Sequence, residues 1–398
     1  MQPEELKRLF CEKFGGGGEI RCFFAPGRVN LIGEHTDYNG GHVFPCALTM
    51  GNYGVGRRRE DRKLRLYSVN FPQQGVVECG LDELVYEKKD GWTNYVKGVF
   101  RALEQRGCAL PGGMDLLVYG NLPGGAGLSS SAALEVLAGL MARELLELPG
   151  LSMTDLALVG QQAENEFCGM HCGIMDQFAS AMGQRGCAIF LDTNTLTYRH
   201  VDVHLQGVRL VLVNSRVKHS LVNSAYNERR RQCEEALADL RRVRALGALG
   251  ELTEEAFGEI QDAIRDETCR RRARHAVYEN QRTLRAVGAL EAGDLPAFGR
   301  LLNESHVSLR DDYETSCPET DLLAELAWET PGVLGSRITG GGFGGCTVSL
   351  VEENSLALFQ ERVLAGYQRQ TGRTAEIYVA EAGDGAREIS SSFVLYSG

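Results

Sequence analysis

The sequence GNLPGGAGLSSSAALEV occupies residues 120–136 and joins two segments of different character. The apolar run at 114–118 before it is typical of a buried strand, and AALEVLAGLMARELL, which overlaps its end, has the periodicity of a helix. Glycines allow positive φ and serines favour a helix start, so the stretch predicts an anion-binding loop built from backbone amides. It matches neither a P-loop nor the dinucleotide fingerprint. A plain tight connection is the alternative interpretation.

A second polar stretch, PGRVNLIGEHTDYNGG, occupies residues 26–41. It contains six charged, imidazole or amide side chains and four glycines, which is more polarity than a hairpin turn requires. We therefore expect a polar ligand here, on a hairpin whose turn covers residues 37–41. In a purely structural alternative, Glu34 and Asp37 cap backbone groups or pair with Arg28.

The third stretch, GSRITGGGFGGCTVSL, occupies residues 335–350 and has five glycines at the six positions 340–345. Ordering so much glycine costs entropy, so such a run usually marks a close approach to another part of the molecule or a very tight turn. A hairpin turn before the strand CTVSL is the simpler interpretation.

Composition restricts the class of protein. A chain of 398 residues exceeds the usual size of one core, so we expect two domains with a cleft between them. The net charge of −11 disfavours nucleic-acid binding. The lack of an apolar run of membrane length, together with a charged N-terminus, predicts a cytoplasmic protein without a membrane partner. The twelve cysteines are scattered singly and are expected to be free thiols.

Predicted strands and helices are grouped rather than strictly alternating, which indicates the α+β class. The strands are expected at 29–31, 42–48, 64–69, 114–118, 188–191, 210–213, 347–351 and 375–379. The helices are expected at 94–106, 130–147, 154–167, 223–245, 254–267 and 273–287. Asp176, in CGIMDQF, lies at a further predicted helix start, where the helix dipole favours an ionised carboxylate. Without other information it would be interpreted as an N-cap.

Together, and in this order, the three stretches resemble the signature motifs of the GHMP small-molecule kinases, and residues 26–41 closely resemble the galactokinase signature of that family. NYVKGV at 94–99, QQAENEFCGMHCGIMDQF at 161–178, YNERRRQCEEA from 226 and ESHVSLRDDYETSCPE from 304 extend the resemblance over nearly the whole chain, in its animal-type form. It implies a two-domain fold with the active site in the cleft. Residues 1–190 would form a ribosomal-protein-S5-like α/β domain, and residues 191–398 a ferredoxin-like α+β domain.

The resemblance also implies an activity: ATP-dependent phosphorylation of the anomeric hydroxyl of α-D-galactose to galactose 1-phosphate, the entry step of galactose catabolism. Asp176 and Arg28 would be the catalytic residues: the Asp176 carboxylate either abstracts or orients the proton, and Arg28 beside it keeps that carboxylate ionised and stabilises charge on the transferred phosphoryl group. The implied sugar-binding residues are Arg28, Glu34, His35, Thr36, Asp37, Gly173, Asp176 and Tyr226. The implied nucleotide-binding residues are Gly125, Ala126, Gly127, Leu128, Ser129, Ser130 and Ser131. Ser131 and Glu164 would bind Mg²⁺, a hard cation that prefers oxygen ligands.

Two other functions stay open at this point. One is an N-acetylgalactosamine kinase, which needs extra room beside the second carbon of the sugar. The other is a regulator that binds galactose and ATP without turnover; such relatives lack the Ser-Ala pair of the phosphate loop, which is intact here as Ser131-Ala132. The expected partners are galactose and ATP alone, and the resemblance suggests a monomer.

Overall fold

The structure is a computed structural model that describes residues 1–203, 205–218 and 222–389. Its elements are grouped as the α+β prediction requires. The helices are α1 (Pro3–Phe14), α2 (Thr93–Gln105), α3 (Ser130–Leu145), α4 (Met153–Gln162), α5 (Met175–Met182), α6 (Val222–Leu240), α7 (Glu254–Ile260), α8 (Glu267–Glu291), α9 (Leu295–Asp311), α10 (Pro318–Trp328) and α11 (Leu356–Thr371). The strands are β1 (Arg21–Asn30), β2 (His42–Val43), β3 (Pro45–Arg58), β4 (Lys63–Ser68), β5 (Val77–Gly80), β6 (Met114–Gly120), β7 (Cys187–Asp192), β8 (Tyr198–Asp202), β9 (Val208–Lys218), β10 (Val333–Thr339), β11 (Gly344–Glu352), β12 (Glu376–Ala380) and β13 (Arg387–Ile389). Across these ranges, no helix is both long enough and apolar enough to pass through a bilayer.

The largest sheet has the strand order β13-β1-β3-β6-β4-β5 and is antiparallel except between β4 and β6. Its first hairpin pairs β1 with β3, from Arg21 opposite Gly56 to Asn30 opposite Pro45. The connection at the end of this hairpin covers residues 31–44. Its turn lies at residues 37–40, in agreement with the predicted turn at 37–41, and the carbonyl oxygen of Thr36 accepts hydrogen bonds from the amides of Asn39 and Gly41.

A second sheet of four antiparallel strands, β10-β11-β9-β12, lies in the C-terminal half, and a three-stranded sheet, β2-β7-β8, pairs β2 from the connection after β1 with two strands from the middle of the chain. Strand β7 spans residue 190, and β13 pairs with β1 although about 360 residues separate them. The division into 1–190 and 191–398 therefore stays a prediction, and residues 390–398 lie outside the described residues.

Helices α9, α10 and α11 were not predicted, and several predicted helices have other bounds, two of them for a clear physical reason. The predicted helices at 254–267 and 273–287 are α7 and α8; α8 begins at residue 267 because the side chain of Asp266 caps it by accepting a hydrogen bond from the Cys269 amide. The predicted helix at 154–167 ends as α4 at Gln162 and continues as a π-helical turn over Ala163–Phe167. Such turns are rare and occur frequently at functional sites.

A buried carboxylate on β6 holds three arginines of neighbouring strands. Asp115 is fully buried and accepts hydrogen bonds from Arg57 (2.6 Å), Arg59 (3.0 Å) and Arg65 (2.7 and 2.9 Å). Burial alone would raise the pKa of Asp115, but these hydrogen bonds lower it below its ordinary value. The ionised carboxylate therefore compensates three cations at once.

We expect Asp115→Asn to lower the free energy of unfolding by about 3 kcal/mol, because the three guanidinium groups lose their common counter-charge. Urea denaturation at neutral pH measures the change. Asp61→Asn is the matched control: Asp61 pairs with Arg59 but is 45% exposed, so its loss should cost less than about 1 kcal/mol. Equal effects of the two substitutions would contradict this account.

Candidate active site

The three glycine-rich stretches, far apart in sequence, meet around one cavity of about 390 Å³. The glycine turn at 340–345 forms one wall of it. Every predicted site residue except Thr36 lines this cavity: Arg28, Glu34, His35, Asp37, Gly125, Ala126, Gly127, Leu128, Ser129, Ser130, Ser131, Glu164, Gly173, Asp176 and Tyr226. The cavity has the size of a small-molecule site.

Arg28 and Asp176 form a bidentate ion pair at the centre of the cavity wall. The Nε and Nη2 groups of Arg28 donate to the two carboxylate oxygens of Asp176 at 2.8 and 3.0 Å, and Nη1 donates to the carbonyl oxygen of Gly127 at 2.8 Å. Burial lowers the pKa of Arg28, but the charges of Asp176 and Glu34 more than offset this and leave it raised. Arg28 is therefore a cation that fixes the orientation of Asp176.

Ser129 has a different contact from the predicted one. It occupies the N-cap position of α3 with φ of 59°, but its side chain accepts no capping hydrogen bond. Its hydroxyl instead donates to Asp176 at 2.5 Å. The first-turn amides of α3 consequently lack a capping side chain from Ser129, and they lie at the cavity beside the exposed backbone of Gly125 and Gly127. This is the arrangement in which helix N-termini bind anions.

Glu34 connects the first and third stretches. Its Oε1 atom accepts hydrogen bonds from the Gly340 amide at 2.7 Å and from the Thr339 hydroxyl at 3.2 Å, and it lies 2.9 Å from Nη2 of the buried Arg337. The structural alternative in which Glu34 pairs with Arg28 is therefore wrong, because Glu34 pairs with Arg337 instead. A Cβ atom at Gly340 would lie 2.7 Å from the carbonyl oxygen of Gly127, so only glycine allows this close approach.

His35 and Tyr226 form an aromatic part of the wall. Tyr226, on α6, is 7% exposed, and its ring lies against the His35 imidazole with a centroid distance of 5.3 Å. Nε2 of His35 is buried and has no hydrogen-bond partner within the described residues. Burial, with the nearby His275 and Arg229, lowers the pKa of His35 well below its usual value, so the ring is neutral at pH 7.

Asp37 lies next to Gly173 and close to the start of α5. The Met175 amide donates to Oδ2 of Asp37 at 3.4 Å, and a Cβ atom at Gly173 would lie 2.1 Å from the same oxygen. Burial and the charge of Asp176 raise the pKa of Asp37 to about 7. A side chain at position 173 would therefore displace Asp37.

Glu164, on the π-helical turn, belongs to a buried group of polar side chains. Its Oε1 accepts a hydrogen bond from the Ser131 hydroxyl at 3.1 Å, and its Oε2 accepts one from Nε2 of Gln177 at 2.8 Å. The same nitrogen of Gln177 donates to Glu135 at 2.9 Å. Burial, followed by the charge of Asp176, raises the pKa of Glu164 to about 7. Burial and the charge of Glu164 raise the pKa of Glu135 well above its ordinary value.

Sequence reasoning missed Gln177 and Glu135. Gln177 directly follows Asp176 in MDQF, and Glu135 lies one helical turn after Ser131, so their spacing from predicted residues was the available signal. Thr36, in contrast, was wrongly placed among the cavity residues. It is fully buried, and its hydroxyl contacts the carbonyl oxygens of Gly33 and His42 at 2.8 and 2.7 Å, so it stabilises the connecting loop.

We expect Glu164→Gln to be more stable than the wild type at pH 8.5 by about 2 kcal/mol. The pKa of a glutamate is about 4.5 in the unfolded chain, and folding raises that of Glu164 to about 7. The ionised carboxylate therefore destabilises the folded state as the pH rises above 4.5, and the full effect is reached above pH 7. The difference should fall below about 1 kcal/mol at pH 5. Urea denaturation at both pH values measures it.

Glu166→Gln is the matched control, because Glu166 lies on the same turn but is exposed. It should change the free energy of unfolding by less than about 0.5 kcal/mol at either pH. A Glu164→Gln variant that is less stable than the wild type at pH 8.5 would show that the buried carboxylate is fully compensated.

Three family models match the chain. They are the galactokinase galactose-binding signature over residues 8–58, the GHMP kinases N terminal domain over 94–184 and the GHMP kinases C terminal domain over 286–368. The galactokinase of Clostridium beijerinckii is 50% identical over 384 residues, which cover 96% of this chain and 98% of that protein. The galactokinase of Bacillus subtilis is 48% identical over 386 residues, which cover 97% of this chain and 99% of that protein.

Solved structures give the same result. The crystal structure of Lactococcus lactis galactokinase complexed with galactose matches with a TM-score of 0.95 and 46% identity, over 97% of this chain and 99% of that chain. Methanococcus jannaschii mevalonate kinase matches with a TM-score of 0.64 at 15% identity, over 93% and 99% of the two chains, a likeness of fold alone. The fold is thus the two-domain GHMP kinase fold. Since about half of its residues agree with those of galactokinases over nearly the whole length, the chain is a kinase that belongs to the galactokinase family of the GHMP kinases.

Proposed function

We propose that this protein transfers the γ-phosphoryl group of ATP to the anomeric hydroxyl of α-D-galactose and forms galactose 1-phosphate, the first step of galactose catabolism. One observation carries the proposal. Asp176, held by Arg28, stands between a cluster of hydrogen-bonding side chains that suits a sugar and a helix N-terminus that suits a phosphate chain. A phosphoryl acceptor and donor bound at these two ends would meet at Asp176.

The sugar would bind at the end of the cavity formed by Glu34, His35, Asp37 and Tyr226. Carboxylates there accept hydrogen bonds from hydroxyl groups, and the unpartnered Nε2 of the buried His35 is free for a further one. The ring of Tyr226 offers an apolar face. A site that pairs each hydroxyl discriminates strongly against analogues that lack one.

The nucleotide phosphates would bind the backbone of residues 125–131 at the start of α3. The loop contains no lysine, so its contribution is amide hydrogens and serine hydroxyls at the positive end of a helix dipole. Arg28 supplies the positive charge nearest to Asp176, although at least three of its five N–H groups are already used within the protein.

Mg²⁺ fits the residues beside this loop. Glu164 and Ser131 offer hard oxygen atoms that already lie within hydrogen-bond distance of each other, and the raised pKa of Glu164 shows a carboxyl group that lacks a compensating cation. Among the described residues no three His, Cys, Asp or Glu side chains form a ready-made metal cluster. The two residues would hold the ion, and it would neutralise phosphate charge when bound.

Asp176 would accept the hydrogen of the anomeric hydroxyl. Phosphoryl transfer depends mainly on positioning and charge stabilisation, so the rigid hold of Arg28 and Ser129 on both carboxylate oxygens matters as much as basicity. Asp176 then orients the attacking oxygen and receives its proton as the new bond to phosphorus forms.

Three finer expectations stay predictions. The galactokinases named above are bacterial, so the animal-type assignment gains no support from them. The monomeric state and the cytoplasmic location are likewise expectations from the sequence.

We expect Asp176→Asn to lower kcat for galactose by about a thousandfold, because the amide neither receives the proton nor pairs with Arg28 as an anion. A coupled assay of ADP release measures kcat, and calorimetry should show ATP affinity within about threefold of the wild type. Asp155→Asn is the matched control, since Asp155 also lies in the first turn of a helix, α4, but far from the cavity. It should leave kcat unchanged.

The same assay with galactose, N-acetylgalactosamine and mevalonate tests the wild-type activity itself. ADP release with galactose alone is expected. Preference for N-acetylgalactosamine, or ATP binding without ADP release for any of the three, would replace the proposal by one of the two other functions.

Asp37→Asn should raise the KM for galactose by about tenfold or more, with a smaller change in kcat and none in the KM for ATP. The physical reason is the loss of charged hydrogen-bond acceptance at the sugar end, worth about 1.5–3 kcal/mol. Initial rates over a range of galactose concentrations measure it. Asp294→Asn serves as the control, because asparagine preserves the N-cap that Asp294 provides to α9. An unchanged KM in Asp37→Asn would remove Asp37 from the sugar site.

A further inference from the structure

A chain of hydrogen bonds extends from His35 away from the cavity. Nδ1 of His35 lies 2.8 Å from the hydroxyl of Tyr38, which lies 2.7 Å from the hydroxyl of Tyr313, which lies 3.2 Å from Sγ of Cys233. Tyr313 and Cys233 are 0% and 1% exposed. Cys233 lies on α6 and Tyr313 follows α9, so two elements of the C-terminal half contact the first stretch through one line of polar atoms.

The opposite nitrogen of the His35 ring, Nε2, lies across the ring from the Nδ1 that contacts Tyr38. His35 lines the cavity and is 4% exposed, and its Nε2 has no partner within the described residues. A buried polar atom without a partner is costly, which indicates that a ligand atom completes its hydrogen bonding. Whether this nitrogen donates or accepts depends on which ring nitrogen carries the proton.

The direction of the chain follows from the chemistry of its two ends. One end is Nδ1 of the neutral His35 ring, a strong acceptor when it carries no proton. The other end is Sγ of Cys233, a weak acceptor. A tyrosine hydroxyl therefore gains more by donating towards the imidazole than by donating towards the thiol.

In the direction from Cys233 to His35, each tyrosine hydroxyl accepts a hydrogen bond from one neighbour and donates one to the next. Tyr313 donates to Tyr38, and Tyr38 donates to Nδ1 of His35, a strong acceptor when unprotonated. In the opposite direction the chain would end on sulfur, a weak acceptor, and the thiol hydrogen would take no part in it. The first direction uses every hydrogen and is therefore favoured.

We propose that Cys233, Tyr313 and Tyr38 act as positioning residues that hold the His35 proton on Nε2, so that His35 presents a hydrogen-bond donor to the bound sugar. The inference rests on the proposed function only in naming the ligand. The Glu34 carboxylate, which lies against Arg337, offers acceptor atoms only, whereas each sugar hydroxyl both donates and accepts. A fixed donor among acceptors lets one hydroxyl satisfy both of its roles and favours sugars with an oxygen at that place.

The tautomer can be measured directly by ¹⁵N NMR of the ring nitrogens in histidine-labelled wild-type protein without substrate, because protonated and unprotonated nitrogens resonate far apart. The chain has eight histidines, and the His35→Gln variant identifies the signals of His35. We expect a protonated Nε2 and an unprotonated Nδ1. A protonated Nδ1 would overturn the proposal, whatever the enzyme's substrate.

The Tyr313→Phe variant tests the action at a distance, since it keeps the ring against His35 but removes one hydroxyl that the sugar does not touch. We expect a mixture of His35 tautomers and a KM for galactose raised about fivefold, with kcat within twofold of the wild type. Tyr378→Phe is the matched control, because the hydroxyl of Tyr378 donates to Glu376 on β12, outside the residues that line the cavity. It should leave both the KM and the His35 signals unchanged.

Folding of each variant is checked by thermal unfolding, and Cys233→Ala replaces Tyr313→Phe if the latter does not fold. A folded variant with an unaltered tautomer and an unaltered KM would overturn the positioning role. Failure of the wild type to phosphorylate galactose would refute the proposed function instead, while the NMR result would still decide the tautomer.

Discussion

The buried guanidinium of Arg28 is the constraint on which the site depends. A cation that is 2% exposed must find its partners within the protein, and those it finds belong to two other parts of the chain. It binds Asp176 at the start of α5 and the carbonyl oxygen of Gly127 in the loop before α3, while its own backbone lies on β1. Any displacement of Arg28 would therefore change both ends of the cavity together.

A second property of the site is its excess of buried acid. Burial raises the pKa values of Asp37 and Glu164 to about 7 and that of Glu135 well above its ordinary value, yet among the described residues that line the cavity Arg28 is the one cation. Burial without enough counter-charge costs stability, so the arrangement makes sense as a site completed by what binds there. Bound hydroxyl hydrogens and a divalent cation would supply the missing positive charge.

The α+β class and the two-domain GHMP kinase fold could be predicted from the sequence, and both are confirmed. Every predicted site residue except Thr36 lines the cavity, and eleven of these fifteen lie in the first and second stretches, where residues close in sequence carry the chemistry. Their binding and catalytic roles stay predictions. Helices α9 to α11 were not predicted from periodicity, and Thr36 was wrongly counted as a cavity residue because only the three-dimensional loop shows which way its hydroxyl is turned. Gln177 and Glu135 act through contacts between helices, which a single sequence does not record.

The pairing of β13 with β1 has a consequence for biosynthesis. One edge of β1 is covered by residues 387–389, which are synthesised about 360 residues after β1. Until then, the amide and carbonyl groups on that edge are available to other strands, including those of neighbouring nascent chains. An expressed fragment that stops before residue 387 would keep this edge open and should be prone to aggregation even if its cavity were fully formed.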